Sequence, residues 1–223
     1  WIGEIEIRHR MKWRLGITVF PGRSYIEAKL VPYNRSPFLH SMLYFANAGV
    51  HANDDYQVVF PPSTEWVTQH AKAEYAAWPI AHENYNHVDF TALGRELGTD
   101  GVDISRWKNN LQWISFFAYN YEDDWGAGYD HAKKAGTLVL GNHHVAPGKK
   151  FWTWGSGDHG QAWDKLLTDR DGPELELMAG GYSDNEPDYS WLQPHRTREV
   201  SHYFYPLREI GSRLNRREVR LDN

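Results

Sequence analysis

Apolar and polar side chains alternate at period two through the first third of the chain. Across Arg14 to Phe20, Leu15, Ile17 and Val19 share one face; across Tyr25 to Val31, Ile26, Ala28 and Leu30 oppose Glu27 and Lys29. Successive side chains of a strand point to opposite faces, so this pattern predicts half-buried antiparallel strands. The break Pro21-Gly22-Arg23-Ser24 predicts the turn of a hairpin. A further strand is predicted over Ser41 to Val50. From Phe60 to about Asn110 the periodicity lapses into Pro, His, Asn and Asp, which predicts a long functional or poorly ordered loop. A short helix is expected inside it at Glu65 to Ala77, where Ala71, Ala73, Ala76 and Ala77 favour one. Alternation returns in Gln112 to Tyr119, Gly136 to Asn142, Glu174 to Gly180 and Arg198 to Tyr205, separated by Gly-rich aromatic loops, notably Asp123 to Tyr129 and Trp152 to Gly160. The expected class is mainly β, an antiparallel sandwich with at most minor helix.

A length of 223 residues suits one domain with one sizeable core, set at residues 1–211, with 212–223 as a basic, solvated tail. The chain opens at Trp1 directly in a strand-like pattern, and further strands before it are expected. A net charge of -5, from 24 basic and 29 acidic side chains, provides no clustered cation for a polyanion, so nucleic acid is not an expected partner. No stretch reaches the roughly 18 apolar residues that would span a bilayer. The absence of cysteine excludes disulfides and thiolate chemistry and is compatible with cytoplasm or periplasm alike.

Aromatic content changes the picture more. Eleven Trp, 13 Tyr and 9 Phe exceed what a core of this size needs, and Trp and Tyr pair a flat apolar face with a polar edge that suits a sugar ring. Three segments carry candidate chemistry. In Glu174 to Gly180, Leu175, Leu177 and Ala179 face one way, so Glu176 is presented on the other, beside a core strand. In Trp125 to Gly136, the pair Asp130-His131 sits between glycines with Trp125 and Tyr129 close by, where Asp130 orients His131 or binds a hydroxyl. In Asn142 to Gly155, His143 and His144 point to opposite faces, and Trp152 and Trp154 share a face as a stacking platform. The loop carrying Glu186, Asp188 and Trp191 adds a second source of carboxylates, and His51 a further imidazole.

Other chemistries lack their residues. His82 and His87 are five apart, where a zinc-binding helix needs four. Asp54, Asp55, Glu122, Asp123 and Asp124 would suit Ca²⁺, although no EF-hand pattern exists, and no other cofactor is expected. G-x-S-x-G, P-loop and dinucleotide fingerprints are absent.

Several runs resemble a known family: Gly128-Tyr129-Asp130-His131; Pro147-Gly148-Lys149-Lys150-Phe151-Trp152-Thr153-Trp154-Gly155; Leu167-Thr168-Asp169 with Gly172-Pro173; Glu176-Leu177-Met178-Ala179-Gly180; and Tyr205-Pro206-Leu207. Together they are similar to a bacterial domain of unknown function, often joined to tetratricopeptide repeats, in the galactose mutarotase-like superfamily. The resemblance implies a β-supersandwich whose concave face binds a sugar, with Leu175-Glu176 at the position of the mutarotase general base. The mutarotase acid is a His near a Tyr-Phe-Asn type strand. Leu43-Tyr44-Phe45-Ala46-Asn47 contains none, which leaves His51, His131 and His144 as alternatives.

The resulting expectation is a carbohydrate-active protein, first a glycoside hydrolase-like enzyme using Glu176 with Asp130 or His131 across a cleft lined by Trp152 and Trp154. A mutarotase or epimerase on a free sugar and a non-catalytic carbohydrate-binding module are the alternatives.

Overall fold

The computed structural model describes residues 1–119, 121–185 and 188–210. Two antiparallel sheets dominate them. One has seven strands in the order Ile2–Ile5, Lys12–Val19, Ile26–Tyr33, Val200–Arg208, Ala135–Leu140, Trp125–Asp130, Tyr56–Val59. The other has six: Phe45–His51, Glu174–Gly180, Gly148–Thr153, Ile114–Tyr119, Trp66–Thr68, Tyr75–Ala77. The mainly β sandwich expected from the alternation is the fold observed.

Alternation decides which face of the six-stranded sheet is core. Leu175, Leu177 and Ala179 point inward with Phe151, Ile114, Phe116, Ala118, Val67 and Ala76, and pack against Tyr56, Val58 and Val139 of the other sheet. Burying each large aliphatic or aromatic side chain there contributes about 1.5–3 kcal/mol. The intervening residues of the same strands therefore point away from the core.

The structure differs from the predicted elements where packing overrides local propensity. Glu65 to Ala77 is no helix: Trp66–Thr68 and Tyr75–Ala77 pair as a hairpin, with a 3-10 turn, His70–Lys72, between them. Val67 and Ala76 are fully buried in the core, which outweighs the helix preference of the alanines. The supposed loop Asp123 to Tyr129 is largely the strand Trp125–Asp130. Its Gly128 is a packing device, since a Cβ there would stand 2.0 Å from the Tyr56 hydroxyl. Trp152 likewise belongs to the strand Gly148–Thr153, and the helix Asp158–Leu167 follows it. The aperiodic stretch holds short strand pairs and a helix, Phe90–Leu97, capped by the Asp89 side chain accepting from Ala92 N and by Gly98 in the left-handed region.

At the hairpin end of the seven-stranded sheet, Leu15, Ile17 and Val19 do share a face, but Ile17 and Val19 are exposed. The basic tail lies outside the described residues. Among the described residues no helix is long and apolar enough to cross a membrane.

Candidate functional site

The outward face of the six-stranded sheet is ordered by strand register. Gly49, Glu176, Trp152 and Ser115 form one row across adjacent strands. Asn47, Met178, Lys150, Phe117, Thr68 and Tyr75 form the next. Because side chains alternate, both rows project from the same face.

Glu176 is held by Asn47, whose Nδ2 donates to Oε2 at 3.1 Å. Opposite it in the row, Gly49 contributes no side chain. On the other side stands Trp152, half-buried, with its ring edge-to-face against Trp154 at 4.6 Å. The two indoles are therefore not the shared stacking platform expected from the sequence pattern. Trp154 instead stacks on Trp163 of the following helix, centroids 4.5 Å apart and planes within 11°. Trp163 donates from Nε1 to His159 at 3.0 Å. These rings form a wall beside the row, next to Trp152.

Beyond Trp152 lies a group of donors. His70, in the turn after Trp66–Thr68, has Nδ1 2.8 Å from Ser115 Oγ and Nε2 3.0 Å from Lys150 Nζ. Its ring meets Phe117 edge-on at 5.1 Å, and the Lys150 ammonium sits 4.7 Å over that same ring. A cation over a ring face is stabilised there by about 0.5–2 kcal/mol. Next in the turn, Lys72 binds Asp184 at 2.9 Å and Asp188 at 2.8 Å, tying the loop after Glu174–Gly180 to the turn. Asn185 reinforces the tie, Nδ2 donating to Gln69 O at 3.0 Å. A cavity of about 300 Å³ adjoins this region, lined by Tyr119, Tyr121, His143 and Asp184.

The arrangement places a carboxylate on one side of an aromatic plane and an imidazole, ammonium and hydroxyl on the other. Such a pair of opposed groups can move protons to and from a ligand held between them.

Residues 1–207 match the model of a family described as a domain of unknown function, DUF5107. The chain belongs to that family. The DUF5107 domain is similar to a crystal structure of a TPR-domain containing protein from Parabacteroides distasonis, with TM-score 0.72 and 16% identity over 92% of this chain and 32% of that one. It is also similar to a Klebsiella pneumoniae protein provisionally named an aldose 1-epimerase, with TM-score 0.62 and 10% identity over 93% and 49% of the two chains. A galactose mutarotase-like protein from Lactobacillus casei aligns with TM-score 0.52 and 4% identity over 89% and 64%. At these identities the likeness shows the fold, which is the galactose mutarotase-like supersandwich. The chain spans from about a third to just under two thirds of these proteins' lengths.

Of the residues singled out in the sequence, Glu176 and Trp152 meet on this face, with Trp154 at its edge. His51 shares the face at the end of its strand, opposite Glu174. Asp130 and His131 are not brought to Glu176; they lie in and just after the strand Trp125–Asp130 of the seven-stranded sheet. Asp130 is buried and ties the local turn, accepting from Asn53 Nδ2 at 2.6 Å and Lys133 N at 2.8 Å. These bonds, with the Lys133 charge, hold its carboxyl below the usual range although burial alone would raise it. His131 bonds Gln57 at 2.9 Å, and burial lowers its affinity for a proton. Tyr129, 2% exposed, and Trp125 pack with Val59, Leu138 and Leu140 in a second apolar cluster. His144 is exposed in a turn against His143, which pairs with Asp124 at 2.8 Å. Trp191 is exposed on a separate two-stranded sheet with His40–Met42. Glu186 lies outside the described residues. Asp123 accepts from Ser63 at 2.6 Å, and among the described residues no three metal-ligating side chains cluster.

Sequence reasoning missed Asn47, His70, Ser115 and Lys150. The alternation that paired Trp152 with Trp154 places Lys150 on the same face, so that signal was present. His70 carried none, because its segment has the composition of a helix.

Proposed function

We propose that this DUF5107 domain binds the ring of an aldose on the outward face of its six-stranded sheet and moves protons at the anomeric centre, as an epimerase does. The observation that carries the reading is the row Glu176, Trp152, Ser115. With strands about 4.8 Å apart, roughly 10 Å separates the first and last backbone positions, room for one sugar ring on Trp152. The fold, shared with proteins named as an aldose 1-epimerase and as galactose mutarotase-like, supports the same substrate class.

In that role Glu176 takes the proton of the anomeric hydroxyl while the Lys150–His70 pair delivers one to the ring oxygen. The bond between the anomeric carbon and the ring oxygen breaks, leaving the open-chain aldehyde. Rotation about the adjacent carbon–carbon bond exposes the carbonyl's other face, the ring oxygen re-attacks, and both proton transfers reverse. Each positioned acid or base is worth about 10²–10⁴ in rate.

A second reading, glycoside hydrolysis, has one observation in its favour. Glu174 lies two positions from Glu176 on the same face, roughly 7 Å along the strand, which is the regime where water fits between two carboxyl groups.

Pure α-anomers of glucose and galactose, followed by proton NMR as they equilibrate, test the first reading. Wild-type protein is expected to accelerate the equilibration, and Glu176→Gln and His70→Asn to remove most of that acceleration. Release of reducing sugar from aryl glycosides without faster anomer exchange establishes hydrolysis instead. Saturable binding without either reaction identifies a binding module.

A further inference from the structure

A second cavity, of about 570 Å³, lies away from this face, at the edge strand Tyr56–Val59 of the seven-stranded sheet. Its walls come from the edge strand Tyr56–Val59, from the segment after it, and from the 103–106 segment. That last segment runs alongside the edge strand through Val58 N to Ser105 O at 2.8 Å and a bridge between Gln57 and Arg106. The volume is within the roughly 300–1,000 Å³ typical of small-molecule sites.

One wall is apolar. Trp78 packs against Phe60 at 4.7 Å, and Pro61, Pro62 and Pro79 complete the surface. The facing wall is a directed chain of hydrogen bonds. His131 Nε2 lies 2.9 Å from Gln57 Oε1. Gln57 Nε2 donates to Ser105 Oγ at 3.0 Å, and Ser105 Oγ donates to Asp103. The Arg106 guanidinium closes the chain, its Nε 3.7 Å from the other Asp103 oxygen. The orientation of every member follows from its neighbour: an amide that donates to Ser105 must present its oxygen to His131, so His131 carries its hydrogen on Nε2. Burial, then the Arg106 charge, lower that imidazole's affinity for a proton, against the opposing charges of Asp55 and Asp130.

We infer that this cavity is a second binding site, taking a neutral pyranose unit. An aromatic plane with proline flanks suits the apolar C–H face of a sugar ring. Opposite it, the chain fixes in place the groups it does not itself use, the second Gln57 N–H, the terminal Arg106 N–H groups and the remaining Asp103 lone pairs, which suit hydroxyl groups that both donate and accept. The two formal charges of the chain, Arg106 and Asp103, offset each other, and Glu65 at the cavity adds a carboxylate that disfavours anionic ligands. The site is independent of the acid–base reading above, since it shares no residue with the Glu176 face.

Indole N–H signals in a ¹H–¹⁵N spectrum, assigned through Trp78→Phe and Trp152→Phe, report the two sites separately. The probes are the methyl glycosides of glucose, galactose, mannose and N-acetylglucosamine, which cannot anomerise, with glucuronate as the anionic control. At least one neutral glycoside is expected to shift the Trp78 signal saturably, and to do so equally in Trp152→Ala protein. Arg106→Gln, a change at a partly exposed side chain, is expected to weaken that response about tenfold. Any of these results overturns the inference: no Trp78 shift with any neutral glycoside, loss of the shift in Trp152→Ala, or stronger binding of glucuronate. An unaltered affinity in Arg106→Gln and in Gln57→Leu also overturns it, by removing the chain from the site. The Trp152 signal meanwhile reads the other face, so failure of one site is distinguishable from failure of the other.

Discussion

Lys150 Nζ stands 3.0 Å from His70 Nε2, and in that contact the imidazole is the acceptor. An ammonium has three donors and no acceptor, so the His70 hydrogen resides on Nδ1, directed at Ser115 Oγ 2.8 Å away. Nitrogen-15 shifts of the ring are expected to show the neutral Nδ1–H tautomer. In Lys150→Met the tautomers should mix, and anomer exchange should fall by about 10². An unchanged tautomer in that variant would remove Lys150 from the relay.

Trp152 supplies the plane between Glu176 and Ser115. Trp152→Ala is expected to weaken sugar binding at this face about tenfold, the loss of one aromatic contact, without lowering thermal stability as a core truncation would. Titration by isothermal calorimetry and a melting curve together check this. Trp163→Ala should have a smaller effect on affinity, because Trp163 acts through the position of Trp154.

His202 is fully buried, and burial, followed by the charge of Lys149, pushes its pKa down to about 4. In the unfolded chain the ring titrates near the ordinary value of about 6.5. The unfolded state therefore binds the proton first as pH falls. The associated stability is fully present above about pH 6.5 and is lost progressively toward pH 4, about 3 kcal/mol in all. Melting temperature should fall over that window in the wild type, and the His202→Phe variant should show a flatter profile.

Gly128→Ala brings a methyl group within 2.0 Å of the Tyr56 hydroxyl on a ring only 3% exposed. Neither strand can yield without breaking its ladder, so a loss of about 3 kcal/mol is expected in chemical denaturation. Gly126→Ala, whose Cβ would meet Phe60 at an ordinary 3.6 Å, should cost far less.

The class of fold was legible because strand alternation is a local property: the register of Leu175, Leu177 and Ala179 already placed Glu176 opposite the core. Trp152 was legible for the same reason. Asp130 and His131 were misplaced because a glycine-flanked Asp-His pair has the same appearance whether it rims a ligand cleft or ties a turn. Only the Asn53 and Lys133 contacts distinguish the two, and these span 77 and 3 residues of sequence. His70 was hidden more deeply. Its neighbours Ala71, Ala73, Ala76 and Ala77 favour a helix, and the burial of Val67 and Ala76 that forces a hairpin depends on strands more than 40 residues away.

The row that joins Glu176, Trp152 and Ser115 has a consequence for how function is gained and lost. Its members, with Asn47 and His70, come from five separate strands or turns spread over more than half the chain, and none is adjacent in sequence to another. The site exists only once the sheet has closed from the edge strand Phe45–His51 to the Trp66–Ala77 hairpin. Fraying of the edge strand Phe45–His51 removes Asn47 and fraying of the Trp66–Ala77 hairpin removes His70, whereas any event that opens a central ladder erases base and platform together. Turnover at this face should then be lost no later than global unfolding, and ahead of it where an edge frays first.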